Sequence, residues 1–269
     1  MDAQTFAQVK QFIQAQYFID ITRYKEKQML RRLSAWLRRS KVTTWGDYFR
    51  LVREDPLEEK RFRDYLTINV TSFFRDPERW ERLEMEVLPQ VMSAAKSSLY
   101  QREQPLKIWS AGCSIGAEPY SLAMMMERIA PQIQHDILAT DFDRGALETA
   151  RRGGPYSGDD VKNIQAHDLG KYFSKQDSSY FIADKLKKRI RFQEQDLLSD
   201  SFENGFHLIV CRNVVIYFTR QIKEELYRKF YRSLVPEGVL FLGGTEIIPQ
   251  SQKIGFRNIG GSVYKKIEI

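Results

Sequence analysis

The sequence predicts an α/β protein, a doubly wound and mostly parallel sheet preceded by a small all-helical subdomain. Three observations carry this. Residues 1–76 place apolar side chains at helical spacing and show no strand pattern. From Leu106 onward, short apolar runs alternate with amphipathic helices, the texture of strand–helix–strand units. The chain has 269 residues, 42% hydrophobic and 13% aromatic, enough for one large domain or two unequal ones.

The elements follow in order. Phe6, Val9, Phe12 and Ile13 recur on one helical face, as do Leu30, Leu33, Trp36 and Leu37 with arginines between them. Thr43 or Thr44 caps a helix through Tyr48, Leu51 and Val52, ended by Pro56. Residues 58–68 form another short helical pattern, and Pro77–Ser93 a further one. Strands are expected at Leu106–Ala111, Ile137–Thr140, Ile190–Gln193, Phe206–Cys211, Val239–Leu242 and Ser262–Ile267. Helices between them are expected at Glu118–Ile129, Arg144–Arg152 and Arg220–Leu234. Residues 154–189 are polar and turn-rich and read as an insertion. The division is therefore 1–76, helical, and 77–269, sheet-bearing.

Charge is unevenly placed. Arg23, Lys25, Lys27, Arg31, Arg32, Arg38, Arg39 and Lys41 share one stretch with a single acid, Glu26, and this stretch accounts for the whole net charge of +7. Such a stripe suits an anionic partner, unless it is simply a solvated face. No apolar run reaches the roughly 18–20 residues of a membrane span. The N-terminus lacks a basic region followed by an apolar one, so no secretory signal is expected. Two cysteines, Cys113 and Cys211, build no disulfide framework and no CxxC pair, which fits a reducing, cytoplasmic setting. They have no metal-ligand spacing, so no metal is expected.

The first strand runs into Gly112-Cys113-Ser114-Ile115-Gly116-Ala117-Glu118 and then a helix. In an open α/β sheet, ligands bind beyond the carboxyl ends of the strands, and glycine lets the backbone approach them. The second strand ends at Asp141, an acid suited to ribose hydroxyls. Gly112 and Asp141 are 29 residues apart and GxGxxG is absent, which weakens a nicotinamide reading and leaves a nucleoside ligand open. Gly112 to Gly116 also matches the GxSxG of hydrolases, but no histidine follows late enough to serve Ser114.

Four motifs, in one order across nearly the whole chain, carry a family resemblance. They are Asn69-Val70-Thr71-Ser72-Phe73-Phe74-Arg75-Asp76, Ser110 to Ser121, Ala139 to Asp143, and Cys211-Arg212-Asn213-Val214-Val215-Ile216-Tyr217-Phe218. Together they resemble the chemotaxis receptor glutamate methyltransferases, the CheR family. The resemblance implies a Rossmann-like sheet, with S-adenosylmethionine as methyl donor and S-adenosylhomocysteine as product. The methyl acceptors it implies are glutamates in the cytoplasmic domain of methyl-accepting chemotaxis receptors. It places Asn69, Thr71 and Arg75 at the cofactor's methionine end, Gly112 and Glu118 beside it, and Asp141 on the ribose. It sets Asp196 and Leu197 at the adenine, and Arg212, Asn213 and Tyr217 around methyl transfer. The catalytic pair it implies is Arg75 and Tyr217. Ala117, Asp196 and Gly244 depart from the family pattern, standing where a glutamate, an asparagine and a histidine are usual. Tyr172–Leu186 aligns with the family's small β-subdomain but is short, so dependence on a receptor-tail pentapeptide is not expected.

The chemistry suits that implication. A glutamate carboxylate titrates near 4.3, so it is ionised at pH 7 and needs no general base to attack a sulfonium methyl. The enzyme's task is to desolvate and align it. An acidic receptor helix would also give Arg31, Arg32, Arg38 and Arg39 a docking role, worth about 0.2–1 kcal/mol per exposed pair and felt mainly as steering. Two other classes fit less of the sequence. A nucleic-acid methyltransferase would use the basic charge, but Arg212 to Tyr217 lacks the usual proline pair, so no nucleic acid is expected. A non-catalytic S-adenosylmethionine sensor would not need Arg75 and Tyr217.

Overall fold

The structure, a computed structural model, describes residues 1–67, 71–95 and 104–268. The chain divides into two compact units, Met1–Ile68 with Val215–Glu224, and Asn69–Val214 with Glu225–Ile269. The division at 68/69 falls before the 76/77 expected from sequence. Phe73 and Phe74 explain it, because both are buried in the sheet unit's core.

The helical unit has four main helices: α1 (Ala3–Tyr17), α2 (Glu26–Arg39), α3 (Trp45–Glu54) and α4 (Pro56–Thr67). Asp2 caps α1 by accepting from Thr5 N–H at 2.8 Å, and Thr44 caps α3 by accepting from Asp47 N–H at 3.2 Å. Pro56 opens α4 without loss, since a first-turn N–H has no helical acceptor. The core is aromatic. Phe62 is fully buried, with the rings of Tyr17, Trp36, Trp45 and Tyr48 all between 5.2 and 6.1 Å from its own. Such ring pairs add about 0.5–1.5 kcal/mol each beyond simple burial.

The sheet unit holds helices α5 (Pro77–Arg82), α6 (Leu88–Ala94), α7 (Ala117–Ile129), α8 (Arg144–Arg152), α9 (Gly158–Val161), α10 (Ala166–Tyr172) and α11 (Asp184–Lys187). Helix α12 (Arg220–Ser233) begins in the 215–224 segment and ends here. Between α5 and α6, Leu83–Val87 is a π-turn, where Pro89 removes an N–H and its ring crowds the preceding turn. The strands are β1 (Lys107–Ala111), β2 (Asp136–Asp141), β3 (Phe173–Gln176), β4 (Ser179–Ile182), β5 (Ile190–Glu194), β6 (Phe206–Cys211), β7 (Leu234–Leu242), β8 (Phe256–Asn258) and β9 (Val263–Lys266).

Seven strands form one sheet in the order β5-β2-β1-β6-β7-β9-β8. The first five are parallel, and β9 and β8 close the edge antiparallel. From β1 the chain moves outward through β2 to β5 and returns to β6 on the other side of β1. The switch point is thus the β1/β6 boundary, where such folds bind ligands. As expected for a parallel sheet covered on both faces, Ile108, Trp109, Ser110 and Ala111 are all buried. Trp109 donates its indole N–H to Thr140 Oγ1 at 2.9 Å and packs on Phe202, Phe206 and Phe230.

The 154–189 insertion is only partly separate. Strands β3 and β4 make their own two-stranded antiparallel sheet, yet Tyr156, Val161, Ile164, Tyr172, Ile182 and Leu186 belong to the main core. Among the described residues, no helix is long and apolar enough to cross a membrane.

Candidate active site

The first wall is the β1–α7 turn. Gly112 has φ +84°, and a Cβ there would lie 2.5 Å from Val214 Cγ2, so glycine is required twice over. Gly112 and Cys113 donate their N–H groups to Thr140 O at 2.8 and 2.9 Å, which ties the turn to β2. Gly116, at φ +94°, starts α7, and its missing Cβ would meet that of Ala150 at 2.9 Å. Within the first turn, Glu118 is buried, and its Oε1 accepts from Ser110 Oγ at 2.8 Å. Burial pushes its carboxyl up to about 7, against the opposing pull of the Arg212 and Arg75 charges.

The second wall is Asp141, half-buried at the end of β2. Oδ2 accepts from Ser114 N–H at 2.7 Å and Oδ1 from Asp143 N–H at 2.9 Å. Burial raises this carboxyl to about 6, and the backbone bonds limit the rise. Asp143 in turn caps α8 by accepting from Gly145 and Ala146 N–H. One acid therefore joins the glycine turn, the end of β2 and the start of α8.

The third wall is the end of β6. Arg212 is 6% exposed, and its guanidinium donates to Asp76 Oδ2 at 2.8 Å and lies 5.4 Å from the Trp80 ring and 5.2 Å from that of Phe241. Burial pulls its pKa down, against the attraction of Glu118 and Asp76. Its Nε is buried with no hydrogen-bond partner among the described residues. Asn213 follows in the left-handed region, at φ +60°. Arg75 is half-buried just before Asp76, its carbonyl accepting from Trp80 Nε1 at 2.9 Å, and its charge acts on both Glu118 and Arg212.

The structure thus brings Arg75, Gly112, Glu118, Asp141, Arg212 and Asn213 to the carboxyl ends of β1, β2 and β6. Thr71 is half-buried on the approach to Phe73, whereas Asn69 lies outside the described residues. Leu197 is buried, but the carboxylate of Asp196 is engaged within its own turn. There it accepts from Leu198 N–H at 2.8 Å and Ser199 Oγ at 2.9 Å. Tyr217 falls in the helical unit, on the short turn Val215–Tyr217, where its carbonyl accepts from Lys25 N–H at 2.9 Å at the start of α2.

Of the four α2 arginines, Arg31, Arg38 and Arg39 are exposed. Arg31 and Arg38 are seven residues apart, about 20° around the helix, with Lys27 on the same stripe. Arg32 corrects the expectation of a free docking charge: it stacks 4.5 Å over the Tyr65 ring and donates to Tyr65 O. Its guanidinium helps hold α2 to α4.

The hydrolase reading of Gly112 to Gly116 finds no support. His135 and His207 sit at the opposite end of β1, where each Nδ1 accepts a backbone N–H, from Leu106 and Lys107. His167 is on α10 beside Asp168. Cys113 and Cys211 are free and buried, and burial pushes both thiols well up. Among the described residues, no group of three or more His, Cys, Asp or Glu is placed to hold a metal ion. Two acids at the site were given no role from the sequence: Asp76, the partner of Arg212, and Glu246, buried beside Asn213. Each is defined by a partner far along the chain, which no local spacing announces.

A glycine turn and a strand-end acid at the switch point of a doubly wound sheet are the pattern of a nucleoside-binding domain. Residues 69–265 match the model of the CheR methyltransferase, SAM binding domain, and residues 4–67 that of the CheR methyltransferase, all-alpha domain. The chain belongs to the CheR methyltransferase family and is an S-adenosylmethionine-dependent methyltransferase. It is 40% identical to a chemotaxis protein methyltransferase of Listeria monocytogenes over 92% of each chain. It is 30% identical to that of Borreliella burgdorferi over 92% of this chain and 89% of the relative. A chemotaxis protein methyltransferase 2 of Pseudomonas aeruginosa is 29% identical over 96% and 91%.

Proposed function

We propose that this enzyme transfers the methyl group of S-adenosylmethionine to glutamate side-chain carboxylates of chemotaxis receptors. The products are glutamyl methyl esters and S-adenosylhomocysteine. The observation that carries the reading is the pair of acids beside a glycine turn, buried Glu118 at the start of α7 and half-buried Asp141 at the end of β2. The orphaned Arg212 Nε supports a polar ligand at the same place.

The donor set fits this cofactor. Asp141 is ionised above about pH 6 and, beyond its two backbone bonds, keeps lone pairs for ribose hydroxyls. Gly112 lets the ligand lie against the turn. Glu118 meets it from the start of α7, and Arg212 and Asn213 from the end of β6. Arg75 holds the methionine carboxylate, with Thr71 and Asn69 beside it. Leu197 borders the adenine apolar edge. Asp196 contributes through the turn it caps, since its carboxylate is already engaged.

When bound, the cofactor supplies an electrophilic methyl on a sulfonium. The protein's own work is alignment and exclusion of water. Tyr217 orients the incoming carboxylate through its hydroxyl, and Arg75 stays on the cofactor, because a cation paired with the nucleophile would blunt it. The receptor is met by the exposed stripe of Lys27, Arg31 and Arg38, with Arg39 beside it. The four-residue strands β3 and β4 offer little length for gripping a peptide, so methylation proceeds without the receptor's C-terminal tail.

The test is transfer of labelled methyl to a purified receptor cytoplasmic fragment, intact and with its last residues removed, and to nucleic acid. Equal labelling of both fragments and none of nucleic acid is expected. No labelling of either fragment overturns the substrate, and loss on trimming overturns the tail-independence.

A further inference from the structure

We propose that Glu246 is a positioning residue for cofactor binding, fixing the Arg212–Asn213 corner from the turn that follows the neighbouring strand. The inference rests on the reading of those two residues as cofactor-lining.

Strands β6 and β7 are parallel, with Cys211 opposite Leu242, so residues 212–213 and 243–244 leave the sheet side by side. Glu246 lies just beyond and is 1% exposed. Its Oε2 accepts two backbone N–H groups, from Asn213 at 2.9 Å and from Gly243 at 2.6 Å. Glu246 N–H donates back to Gly243 O at 2.9 Å and closes the turn. One oxygen thus bridges the exits of two strands.

Two further facts show that the corner is built around this oxygen. A Cβ on Gly243 would lie 2.6 Å from Oε2 and 2.8 Å from Asn213 N, so a side chain would drive the bridge apart. Asn213 sits at φ +60°, a conformation that persists only where its surroundings enforce it. On its other side the corner is held by the Arg212–Asp76 pair. The charge of Glu246 also reaches Glu118, whose ionisation it opposes. Asn213 therefore owes its backbone direction to a carboxylate that need not touch the ligand.

The experiment is calorimetric titration of S-adenosylhomocysteine into the wild type, Glu246→Ala, Glu246→Gln, Gly243→Ala and Val239→Ala. The last weakens buried β7 without touching the corner. Glu246→Ala strands two backbone donors, the buried Gly243 N–H and the part-buried Asn213 N–H, and should bind at least about tenfold more weakly. Glu246→Gln keeps an acceptor oxygen and should recover to within about threefold of wild type. Val239→Ala should bind as wild type. In turnover, Glu246→Ala should raise the cofactor KM and leave kcat nearly intact at saturation. Should Glu246→Ala fail to fold, Gly243→Ala, which keeps the carboxylate, must show the weakened binding. The inference is overturned if Glu246→Ala or a folded Gly243→Ala binds like wild type. It also falls if Glu246→Gln is as weak as Glu246→Ala, or if Val239→Ala loses as much. Absence of binding by the wild type would instead overturn the cofactor assignment, and this role with it.

Discussion

Removing the charge of Asp141 should weaken cofactor binding and, at pH 7, change stability by no more than about 1–2 kcal/mol. In Asp141→Asn one side-chain oxygen still accepts, but the amide NH2 faces a backbone donor. Either Ser114 N–H or Asp143 N–H, held at 2.7 and 2.9 Å in the wild type, loses its acceptor, at a cost of about 1–3 kcal/mol. Against this stands the strain of the buried charge, which moves the carboxyl from 3.8 to about 6. At 1.36 kcal/mol per pH unit this amounts to about 3 kcal/mol at most, less for the group's partial exposure. The two effects oppose each other, so at pH 7 the variant should lie within about 1–2 kcal/mol of wild-type stability. The sign in pH is definite. Because the folded pKa is raised, the stabilisation from this group is complete below about 3.8 and is lost as pH rises through about 6. Asparagine has no such dependence. The wild-type-minus-variant difference in unfolding free energy should fall across that window, by up to about 3 kcal/mol. Binding moves differently: the variant should lose at least about tenfold in S-adenosylhomocysteine affinity at pH 7. Wild-type affinity should itself decline below about pH 6, as the carboxylate is protonated. Urea unfolding of both proteins across pH, with calorimetry, measures all of this. A flat difference curve, or an asparagine variant that binds as well as wild type, would refute the reasoning.

Two other substitutions separate binding from chemistry. Arg75→Ala should raise the cofactor Kd, whereas Tyr217→Phe should lower kcat and leave that Kd nearly unchanged, and equal loss of affinity in both counts against the assigned roles. Reversing Arg31, Arg38 and Arg39 to Glu should raise the receptor KM at low salt. That effect should fade toward 1 M salt, where the Debye length shrinks to about 3 Å. Arg32→Glu should instead lower the melting temperature, because its guanidinium is bonded and stacked on Tyr65. Normal receptor methylation by the triple reversal would remove α2 from the docking surface.

Local pattern made most of the fold legible. Arg144–Arg152 and Phe206–Cys211 fall on the residues that form α8 and β6, because apolar periodicity and a capping Asp143 act within a few residues. The glycine turn and Asp141 were legible for the same reason, each lying where a strand must end. What escaped depends on partners remote in the chain. β8 is three residues, Phe-Arg-Asn, and exists only because β9 pairs with it. Arg32 looked like its neighbours until folding set Tyr65 beneath it. Asp76 and Arg212 are 136 residues apart, and Glu246 meets Asn213 across 33. The segment Val215–Glu224 read as part of the sheet domain, yet it belongs to the helical unit. There Tyr24 and Phe218 form an antiparallel bridge with their rings 5.3 Å apart.

The central claim is that a carboxylate, not a nitrogen or a hydroxyl, receives the methyl group. The direct measurement is mass-spectrometric mapping of the modified receptor fragment, paired with mild base treatment. Methyl groups on glutamate side chains, released as methanol by base, are the predicted result. A base-stable methyl group on lysine, arginine or any other residue would contradict the account.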